Sequence, residues 1–318
     1  MCELNSFFLI GGGRWSRVVL YEASKLQDQN IAIIVVSKKN HKYMEKWVSK
    51  TLSSTNIKVV KKMPDFVIEN SSAYVLNETK NRYRTLQKLI ELRIPTLVEK
   101  PLMLDYKRAT KIVDLYQSAG ITLASSQVFR FLKGTDALRA AINKDRITSI
   151  KFDWFDSNSE IRYGERKKFE KSVPIYYDIL PHIYSIICGI FGDLSINLGH
   201  IRSVNDSKEI ALSLKLNYLI DLDVNLSRIA ETRKRFIQIQ IADNTIEFDF
   251  STNEVITHFL NGRVTSVQDF GKSSGIQEML KVFLQSNREI TLDPRIDIKP
   301  SLNAVRLCQN IQYELEKL

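Results

Sequence analysis

The sequence has few of the residues from which disulfide frameworks and metal sites are built. Only three cysteines occur among its 318 residues, and Cys2, Cys188 and Cys308 lie far apart. An odd number of cysteines without short spacings excludes a disulfide framework and a cysteine-based metal motif. The histidines show no metal-binding spacing either. We therefore expect no bound metal and, from the cysteine usage, a reducing, cytoplasmic location.

Long apolar runs and a leader-like amino terminus are also missing. No run reaches the roughly 18 apolar residues that are needed to cross a membrane. The first residues, Met1–Asn5, do not place basic side chains before an apolar stretch, as a secretory signal would. The sequence therefore predicts neither a membrane partner nor a secretory signal.

Charge of one sign is in excess, but it is not concentrated. The formal net charge is +10 and the pI is about 9.3, which can indicate nucleic-acid binding. The basic residues are dispersed in short groups, however, with no long basic tail, zinc-finger spacing or RNA-binding aromatic motif. A small anionic ligand is favoured over nucleic acid, which we do not expect as a partner.

The amino terminus contains a strand, a glycine turn and a helix in succession. Ser6–Ile10 is a short apolar run typical of a buried parallel strand, and Gly11 to Ser16 follow at once. An amphipathic helix is predicted from Val18 to Leu26. This is the context of a dinucleotide-binding fingerprint, in which Gly11 permits the tight turn and Gly13 lets the pyrophosphate approach the backbone. A simple turn is the alternative.

The end of the second predicted strand, Ile31–Val36, bears on cofactor choice. An NAD-selective site places a carboxylate there for the ribose 2′-hydroxyl. Here the strand is followed by Ser37, Lys38 and Lys39. A hydroxyl and two ammonium groups can hold a 2′-phosphate instead, so NADP is favoured over NAD. The alternative is that these residues form an ordinary solvated loop without a role in cofactor binding.

Strands and helices continue to alternate through the first half of the chain. The order predicts a doubly wound parallel sheet, a Rossmann domain over residues 1–125. Ligands in such sheets lie at the carboxyl ends of the strands. That rim would carry Gly11, Ser37, Asn77 and Lys100. Lys100 lies in Glu99-Lys100-Pro101, directly after the apolar strand Pro95–Val98, where the following proline favours an extended backbone.

The second half follows a different pattern. Period-two alternation dominates from Leu194 to Thr265 and predicts antiparallel strands. Helices are expected at Gly275–Ser286 and Ser301–Leu318. We predict an α+β domain with an open antiparallel sheet over residues 126–318, with the last helix packing back on the first domain.

One cluster in this half could transfer protons. Asp178 and His182 are four residues apart, at the start of an apolar helix that runs from Ile183 to Phe191. If Asp178 is the N-cap, Pro181 falls in the first turn, where proline is tolerated. A histidine beside a carboxylate can donate or accept a proton near neutral pH. Asp178 as a plain N-cap and His182 as a packed histidine are the alternative.

The order of these motifs resembles a known family. Gly11-x-Gly13-Arg14-Trp15, Glu99-Lys100-Pro101 and Asp178-x-x-x-His182, with Val128–Phe131 between the last two, are similar to the glucose–fructose oxidoreductase / inositol dehydrogenase / MocA (Gfo/Idh/MocA) family. The resemblance implies an NAD(P)-dependent oxidoreductase, and a homo-oligomer, either dimer or tetramer. It implies that Lys100 lies near nicotinamide and substrate, and that Asp178 and His182 are the acid/base pair.

The chain departs from the family pattern at two places. By sequence position, Asn81 stands in the place of a family histidine. Bulky Tyr176 and Tyr177 precede the aspartate, where small residues are common in the family. We expect hydride transfer between nicotinamide and a carbinol or carbonyl carbon of a sugar or nucleotide-linked sugar. The alternatives are a C=N reductase of the imine or biliverdin type, a non-catalytic NADP-binding sensor and, least favoured, a nucleic-acid-binding protein.

The candidate residues fall into three groups. The cofactor group is Gly11, Gly13, Arg14, Trp15, Ser37, Lys38, Lys39, Asn77, Glu99 and Lys100. The catalytic group is Lys100, Asp178 and His182, and the substrate contacts are Arg130, Tyr163 and Tyr177.

Overall fold

The computed structural model describes most of the chain. The described residues are 5–26, 31–52, 56–65, 70–142, 147–157, 161–162, 165–166, 169–170, 172–205, 208–251, 253–289 and 292–317. Cys2 and the predicted substrate contact Tyr163 lie outside them.

The helices begin and end as follows: α1 Arg14–Ala23, α2 His41–Thr51, α3 Thr79–Glu91, α4 Tyr106–Ser118, α5 Lys133–Ala141, α6 Ile175–Phe191, α7 Gly275–Glu289 and α8 Lys299–Leu315. Single 3-10 turns are formed by Val128–Phe131 and Pro294–Ile296.

The strands are β1 Asn5–Ile10, β2 Ile31–Val36, β3 Ile57–Val60, β4 Ser71–Val75, β5 Thr96–Val98, β6 Leu123–Ser125, β7 Ile147–Ser157, β8 Ile161–Arg162, β9 Glu165–Arg166, β10 Ile196–Asn205, β11 Glu209–Leu216, β12 Ile220–Ala230, β13 Lys234–Ile241, β14 Asn244–Asp249, β15 Val255–Leu260 and β16 Arg263–Asp269.

Contacts divide the chain into two compact units. The first comprises residues 1–128 and 276–302, and the second comprises 129–275 and 303–318. The boundary at residue 125, taken as the limit of an independently folding domain, stays a prediction.

The first unit contains a parallel six-stranded sheet in the order β3-β2-β1-β4-β5-β6. Strands β1, β4, β5 and β6 are almost entirely buried, as expected where helices cover both faces of a doubly wound sheet. Phe7, Phe8 and Leu9 of β1 are all buried. The predicted Rossmann fold is confirmed. Because all strands run the same way, the segments after β1, β2, β4 and β5 share one rim.

The segment after α7 adds to the outer strand of this sheet. Asp297 forms an isolated antiparallel bridge with Ala124 of β6. Its carbonyl oxygen also accepts a hydrogen bond from Ser125 Oγ at 2.8 Å. The carboxyl-terminal part of the chain thus partly covers the β6 edge, which would otherwise present unpaired backbone groups.

The second unit contains an eight-stranded sheet in the order β10-β11-β12-β7-β13-β14-β15-β16. The predicted α+β class is confirmed, but the sheet is mixed, since β7 and β12 are parallel. Alternation of apolar residues fixes which face of a strand is buried and not which neighbour it pairs with. Helix α6 packs against β11, β12 and α5, and nearly all of its side chains are buried.

Candidate active site

The glycine turn after β1 is closely packed on one side and open on the other. Gly11 has a φ of +146°, and a Cβ atom there would lie 3.0 Å from the backbone of Leu76. A Cβ atom on Gly12 would lie 2.0 Å from Ser37 Oγ. A Cβ atom on Gly13 would meet no other atom within 4 Å. The backbone at Gly13 is therefore open to a ligand, which is what its predicted role requires.

Helix α1 begins directly at this turn. Gly13 is its N-cap, without a side-chain capping bond, and the helix starts at Arg14. The predicted start at Val18 is wrong by one turn, because Arg14 to Arg17 are mostly polar and carry no apolar periodicity. The first-turn amides of α1 lack intrahelical partners, as in every helix. They form a natural anion-binding end beside Gly13.

Several buried polar atoms near the turn have no hydrogen-bond partner among the described residues. Arg14 Nη1, Ser16 Oγ and Ser37 Oγ are among them, and Ser16 and Ser37 are only 1% and 3% exposed. Buried polar atoms are nearly always satisfied in native proteins, and leaving one unsatisfied costs about 1–3 kcal/mol. Phosphate and ribose oxygens would supply the missing partners, so these residues fit a dinucleotide.

The loop after β2 is tied to the glycine turn. Asn40 Nδ2 donates to the carbonyl oxygen of Gly12 at 3.0 Å, and the Ser37 amide donates to Val60 at 2.8 Å. Lys38 and Lys39 are exposed. Residues 37–40 contain no carboxylate, so the loop offers donors and positive charge to a ribose substituent.

Beyond β4, the loop that contains Asn77 is held by a buried arginine. Asn77 Nδ2 donates to Thr85 Oγ1 at 2.7 Å, while Asn77 Oδ1 is buried without a hydrogen-bond partner among the described residues. Arg82 is 3% exposed. It donates to the carbonyl oxygens of Asn77 at 2.9 Å and Glu99 at 2.6 Å, and also to that of Pro101. One guanidinium therefore joins the loops that follow β4 and β5.

The inward position on α3 belongs to Arg82 and not to Asn81. Asn81 is exposed, and its amide lies 3.3 Å from Glu78 Oε2. The sequence interpretation that gave Asn81 the place of the family histidine stays a prediction. Arg82 is four residues before Leu86 and so shares its buried face.

The segment after β5 is anchored through Glu99. Tyr74 donates to Glu99 Oε2 at 2.6 Å, and its hydroxyl lies 2.7 Å from Ser126 Oγ. Burial and the charge of Glu99 raise the pKa of Tyr74 well above its usual value, against smaller lowering effects of hydrogen bonds with Ser126 and Trp15. Tyr74 therefore stays a donor, and Lys100 follows as the next, half-buried residue. The Lys100–Pro101 peptide bond is cis.

In the second unit, Asp178 lies within helix α6 rather than at its cap. The N-cap is Pro174, and Pro181 is inside the helix. The predicted cap at Asp178 is wrong because Pro174 already sets a helix-compatible φ and the apolar residues after it are buried. The Asp178 carboxylate accepts a hydrogen bond from Arg228 Nη2 at 3.0 Å. Arg228 also donates to the carbonyl oxygen of Val173 at 3.1 Å.

His182, one turn later on α6, lies against aromatic rings. Its imidazole is parallel to the indole of Trp154, with ring centroids 5.3 Å apart and an interplanar angle of 5°. Phe129 contacts it edge to face at 5.0 Å. The imidazole is half-buried, so a polar group can still reach it.

The two described substrate candidates lie in the second unit. Arg130 is half-buried, and its Cγ would lie 3.3 Å from a Cβ atom on Gly189. Tyr177 is 1% exposed and packs against Tyr176 at 5.3 Å. Their contacts with substrate stay predictions.

The candidates fall into two sets by location. All of the cofactor candidates are in the first unit, at the carboxyl ends of β1, β2, β4 and β5, whereas Asp178 and His182 are in the second. Sequence reasoning missed Arg82, Arg228 and Arg235. Each arginine occupies a position that the spacing of its apolar neighbours assigns to the buried face. Arg228, for example, follows Leu222, Val224 and Leu226 at every second residue. An arginine at such a position could have indicated a buried, hydrogen-bonded guanidinium.

Two absences hold for the described part of the chain only. Within it, histidine, cysteine, aspartate and glutamate form no group of three or more that could hold a metal ion. No described helix combines the length and apolar character that spanning a membrane requires.

No protein-family model matches the sequence, and no curated protein is significantly similar to it. Among solved structures, UDP-N-acetylglucosamine 3-dehydrogenase from Acidithiobacillus ferrooxidans has a TM-score of 0.77 at 14% identity, over 97% of this chain and 96% of that one.

Two further structures are similar over nearly the whole chain. A mutant 3-ketoreductase from Actinomadura kijaniata, in complex with TDP-benzene and NADP, has a TM-score of 0.76 at 11% identity over 97% of both chains. Aldose-aldose oxidoreductase from Caulobacter crescentus has a TM-score of 0.77 at 11% identity over 98% of both. The chain therefore has the fold of the Gfo/Idh/MocA-type oxidoreductases that its sequence motifs resemble.

Proposed function

We propose that the protein is an NADP-dependent oxidoreductase. It would transfer hydride between nicotinamide and a carbinol or carbonyl carbon of a sugar or nucleotide-linked sugar. The fold alone does not establish an activity, since one fold supports many chemistries. The proposal therefore rests on the residues at the rim of the parallel sheet.

The observation that carries the proposal is the unsatisfied polar lining of the glycine turn. Arg14, Ser16 and Ser37 each keep a buried polar atom without a partner among the described residues, next to the open backbone of Gly13. A turn with only a structural role would gain from satisfying these atoms. A dinucleotide with its pyrophosphate at the amino end of α1 satisfies them.

The choice of NADP rests on the loop after β2. Ser37, Lys38 and Lys39 follow the strand, and no carboxylate occupies residues 37–40. A 2′-phosphate favours lysine and hydroxyl donors, whereas an NAD site uses an acid on the 2′-hydroxyl. Lys39 Nζ lies 3.6 Å from Glu78 Oε1, and both side chains are largely exposed, so this weak pair can exchange for a phosphate.

Bound NADP would supply the carbon that gives or takes the hydride. The protein's own residues would bind the substrate oxygen and transfer its proton. The Lys100 ammonium would donate a hydrogen bond to that oxygen and stabilise the charge that develops on it. His182 would hold the hydroxyl proton on an imidazole nitrogen, taking it on oxidation and returning it on reduction. Asp178, fixed by Arg228, would supply negative charge near the imidazole.

The substrate class is supported by the structural neighbours and by charge. One neighbour is a dehydrogenase of UDP-N-acetylglucosamine, and another was crystallised with TDP-benzene and NADP. A net charge of +10 suits an anionic, nucleotide-linked substrate. We also propose a cytoplasmic location and a homo-oligomeric assembly, a dimer or a tetramer, for the working enzyme.

The proposal is tested with purified protein, NADP⁺ or NADPH, and a panel of sugars, keto sugars and nucleotide-linked sugars. We expect at least one substrate to change nicotinamide absorbance, and we expect Lys100→Met to abolish that change while NADPH binding persists. Lys107→Met, an exposed lysine on α4, is the matched control and should leave turnover unchanged. Binding of NADPH without turnover across the panel would favour the non-catalytic sensor instead.

A further inference from the structure

We propose that Trp154 is the positioning residue for His182: its indole holds the imidazole plane by stacking and fixes the direction of the ring nitrogens. The role in proton transfer rests on the proposed function, whereas the stack itself does not.

Aromatic rings contact the His182 imidazole in two different orientations. The Trp154 and His182 rings are parallel within 5° at 5.3 Å. Phe129 meets Trp154 at 5.2 Å and 82°, and meets His182 at 5.0 Å and 78°. The imidazole thus contacts one ring face to face and another nearly at a right angle. Rotation of the imidazole about χ2 would break both contacts.

Trp154 is itself held in place by buried charged side chains. The indole is 1% exposed, and the Arg235 guanidinium lies over it at 4.6 Å. Arg235 Nη2 lies 3.2 Å from Asp156 Oδ1, with both side chains buried. Two neighbouring strands supply this support, since Trp154 and Asp156 are on β7 and Arg235 is opposite Trp154 on β13. A buried ion pair on the sheet therefore holds the indole against which His182 rests.

Helix α6 by itself does not fix the orientation of the imidazole. A helix fixes the Cα position of His182, but χ2 of a histidine is a broad, roughly two-fold torsion. Proton transfer requires a nitrogen within hydrogen-bond distance and correctly directed, and a misplacement of 1 Å can cost about a hundredfold in rate. The stack supplies the restraint that the helix lacks.

The stack also provides a spectroscopic readout. A protonated imidazole accepts an electron from the excited indole and quenches its fluorescence, and a neutral imidazole does so much less. The charged groups on the surrounding elements are Asp178 on α6, Arg130 on the preceding turn, Arg228 on β12, Arg235 on β13 and Asp156 on β7. Carboxylates near an imidazole favour its protonated form, and guanidinium groups disfavour it.

The experiment is a fluorescence titration of the full chain between about pH 5 and pH 8, the range in which histidine titrates. The background is Trp15→Phe with Trp47→Phe, which leaves Trp154 as the single tryptophan. We expect emission to rise with pH in one transition. His182→Gln should abolish the transition, and the matched control His200→Gln, an exposed histidine on β10, should preserve it.

Other outcomes overturn the proposal. A transition that survives in His182→Gln, or no transition with His182 present, would contradict the proposal. If the variant with both Trp15→Phe and Trp47→Phe does not fold, the pH dependence of fluorescence is compared between His182→Gln and His200→Gln in the otherwise unaltered chain.

Measurements of kcat then distinguish a role of Trp154 in positioning His182 from a role in core packing alone. Trp154→Phe keeps an aromatic face, and Trp154→Leu removes it. Phe250→Leu is the packing control, because Phe250 contacts Trp154 at 5.8 Å in the same cluster. We expect kcat to fall by at least about tenfold in Trp154→Leu, with recovery in Trp154→Phe and a smaller effect in Phe250→Leu. Equal losses in both leucine variants would reduce Trp154 to a core residue. A fluorescence transition in a protein that turns over no substrate would support the stack of the two rings and contradict the proposed reaction.

Discussion

At the scale of single residues, three buried arginines hold the segments on which the proposed chemistry depends. Arg82 binds the carbonyl oxygens that flank Lys100, Arg228 binds Asp178, and Arg235 lies over Trp154. A buried guanidinium with several acceptors is costly to remove, because its partners lose hydrogen bonds they cannot replace with water. Each of these arginines therefore ties the candidate site to the stability of its unit.

Substitution of Arg82 tests this link in the first unit. Arg82→Met keeps the length of the side chain and removes its donors. We expect the free energy of unfolding to fall by about 1.5–3 kcal/mol, the value of hydrogen bonds to a charged group, as measured by urea denaturation. Arg84→Met, an exposed arginine on the same helix, should change it little. Equal small effects would show that Arg82 contributes no more than a surface side chain.

Asp153 gives a prediction for acid stability. Burial alone would raise its pKa. Hydrogen bonds from Lys234 and Asn225, together with the positive charges of Lys234 and Lys151, outweigh burial and hold the pKa below the usual value. A depressed pKa means that the carboxylate stabilises the fold above about pH 4, the unfolded value. This contribution is lost as pH falls through the lower, folded value.

The check is thermal unfolding of Asp153→Asn as a function of pH. The variant should be less stable than the unaltered chain near neutral pH, and the gap should narrow below about pH 4. Asp243→Asn, in an exposed hairpin turn, should show no such narrowing. A constant gap across the pH range would contradict the account of Asp153.

At the scale of elements, the sequence predicted where strands lie better than it predicted which strands pair with each other. Apolar runs and alternation correctly placed the strand that precedes the glycine turn and those at β12 to β14, because a buried face imposes a period that the residues must follow. The parallel pairing of β7 with β12 left no trace in the period. The start of α6 was also misjudged, since Asp178 is a good N-cap in isolation and only packing favours the earlier start at Ile175.

The glycine turn offers a test at this scale that separates binding from folding. Gly13 has a φ of −83°, which any residue can adopt, and a Cβ atom there meets nothing within 4 Å. Gly13→Ala should therefore unfold at an unchanged temperature, while the Kd for NADPH rises by at least about tenfold, or 1.4 kcal/mol. The added methyl group stands where a phosphate would approach.

Gly12→Ala is the contrasting variant. Its Cβ atom would lie 2.0 Å from Ser37 Oγ, so the β2 loop must move and the unfolding temperature should fall. If Gly13→Ala binds NADPH with unchanged affinity, the open side of the turn is not the place where the cofactor approaches.

At the scale of the whole molecule, the two units were predictable as classes of fold. Alternating strands and helices indicate a doubly wound sheet, and period-two alternation indicates a separate α+β unit. From the sequence we expected only the last helix to return to the first domain. The order of motifs did not show that residues 276–302, which include most of α7, belong to the first unit, or that Asp297 bridges β6. That contact joins residues far apart in sequence and depends on backbone hydrogen bonds, which side-chain patterns do not encode.

The candidate site was partly predictable, because some of its residues belong to short motifs. The glycines, Lys100 and the Asp178–His182 pair belong to short motifs that can be read locally. Trp154 and Arg82 act through contacts with segments distant in sequence, and only the folded structure brings these together.

The most direct test of the central claim is a fluorescence titration of the purified protein with NADPH and with NADH. The account predicts tighter binding of NADPH, and a loss of that preference by at least about tenfold when Lys38 and Lys39 are both changed to alanine. Lys42→Ala with Lys46→Ala, two exposed lysines on α2, removes the same charge and should keep the preference. Binding of neither nucleotide would contradict the account, and equal binding of both would remove Lys38 and Lys39 from the cofactor site.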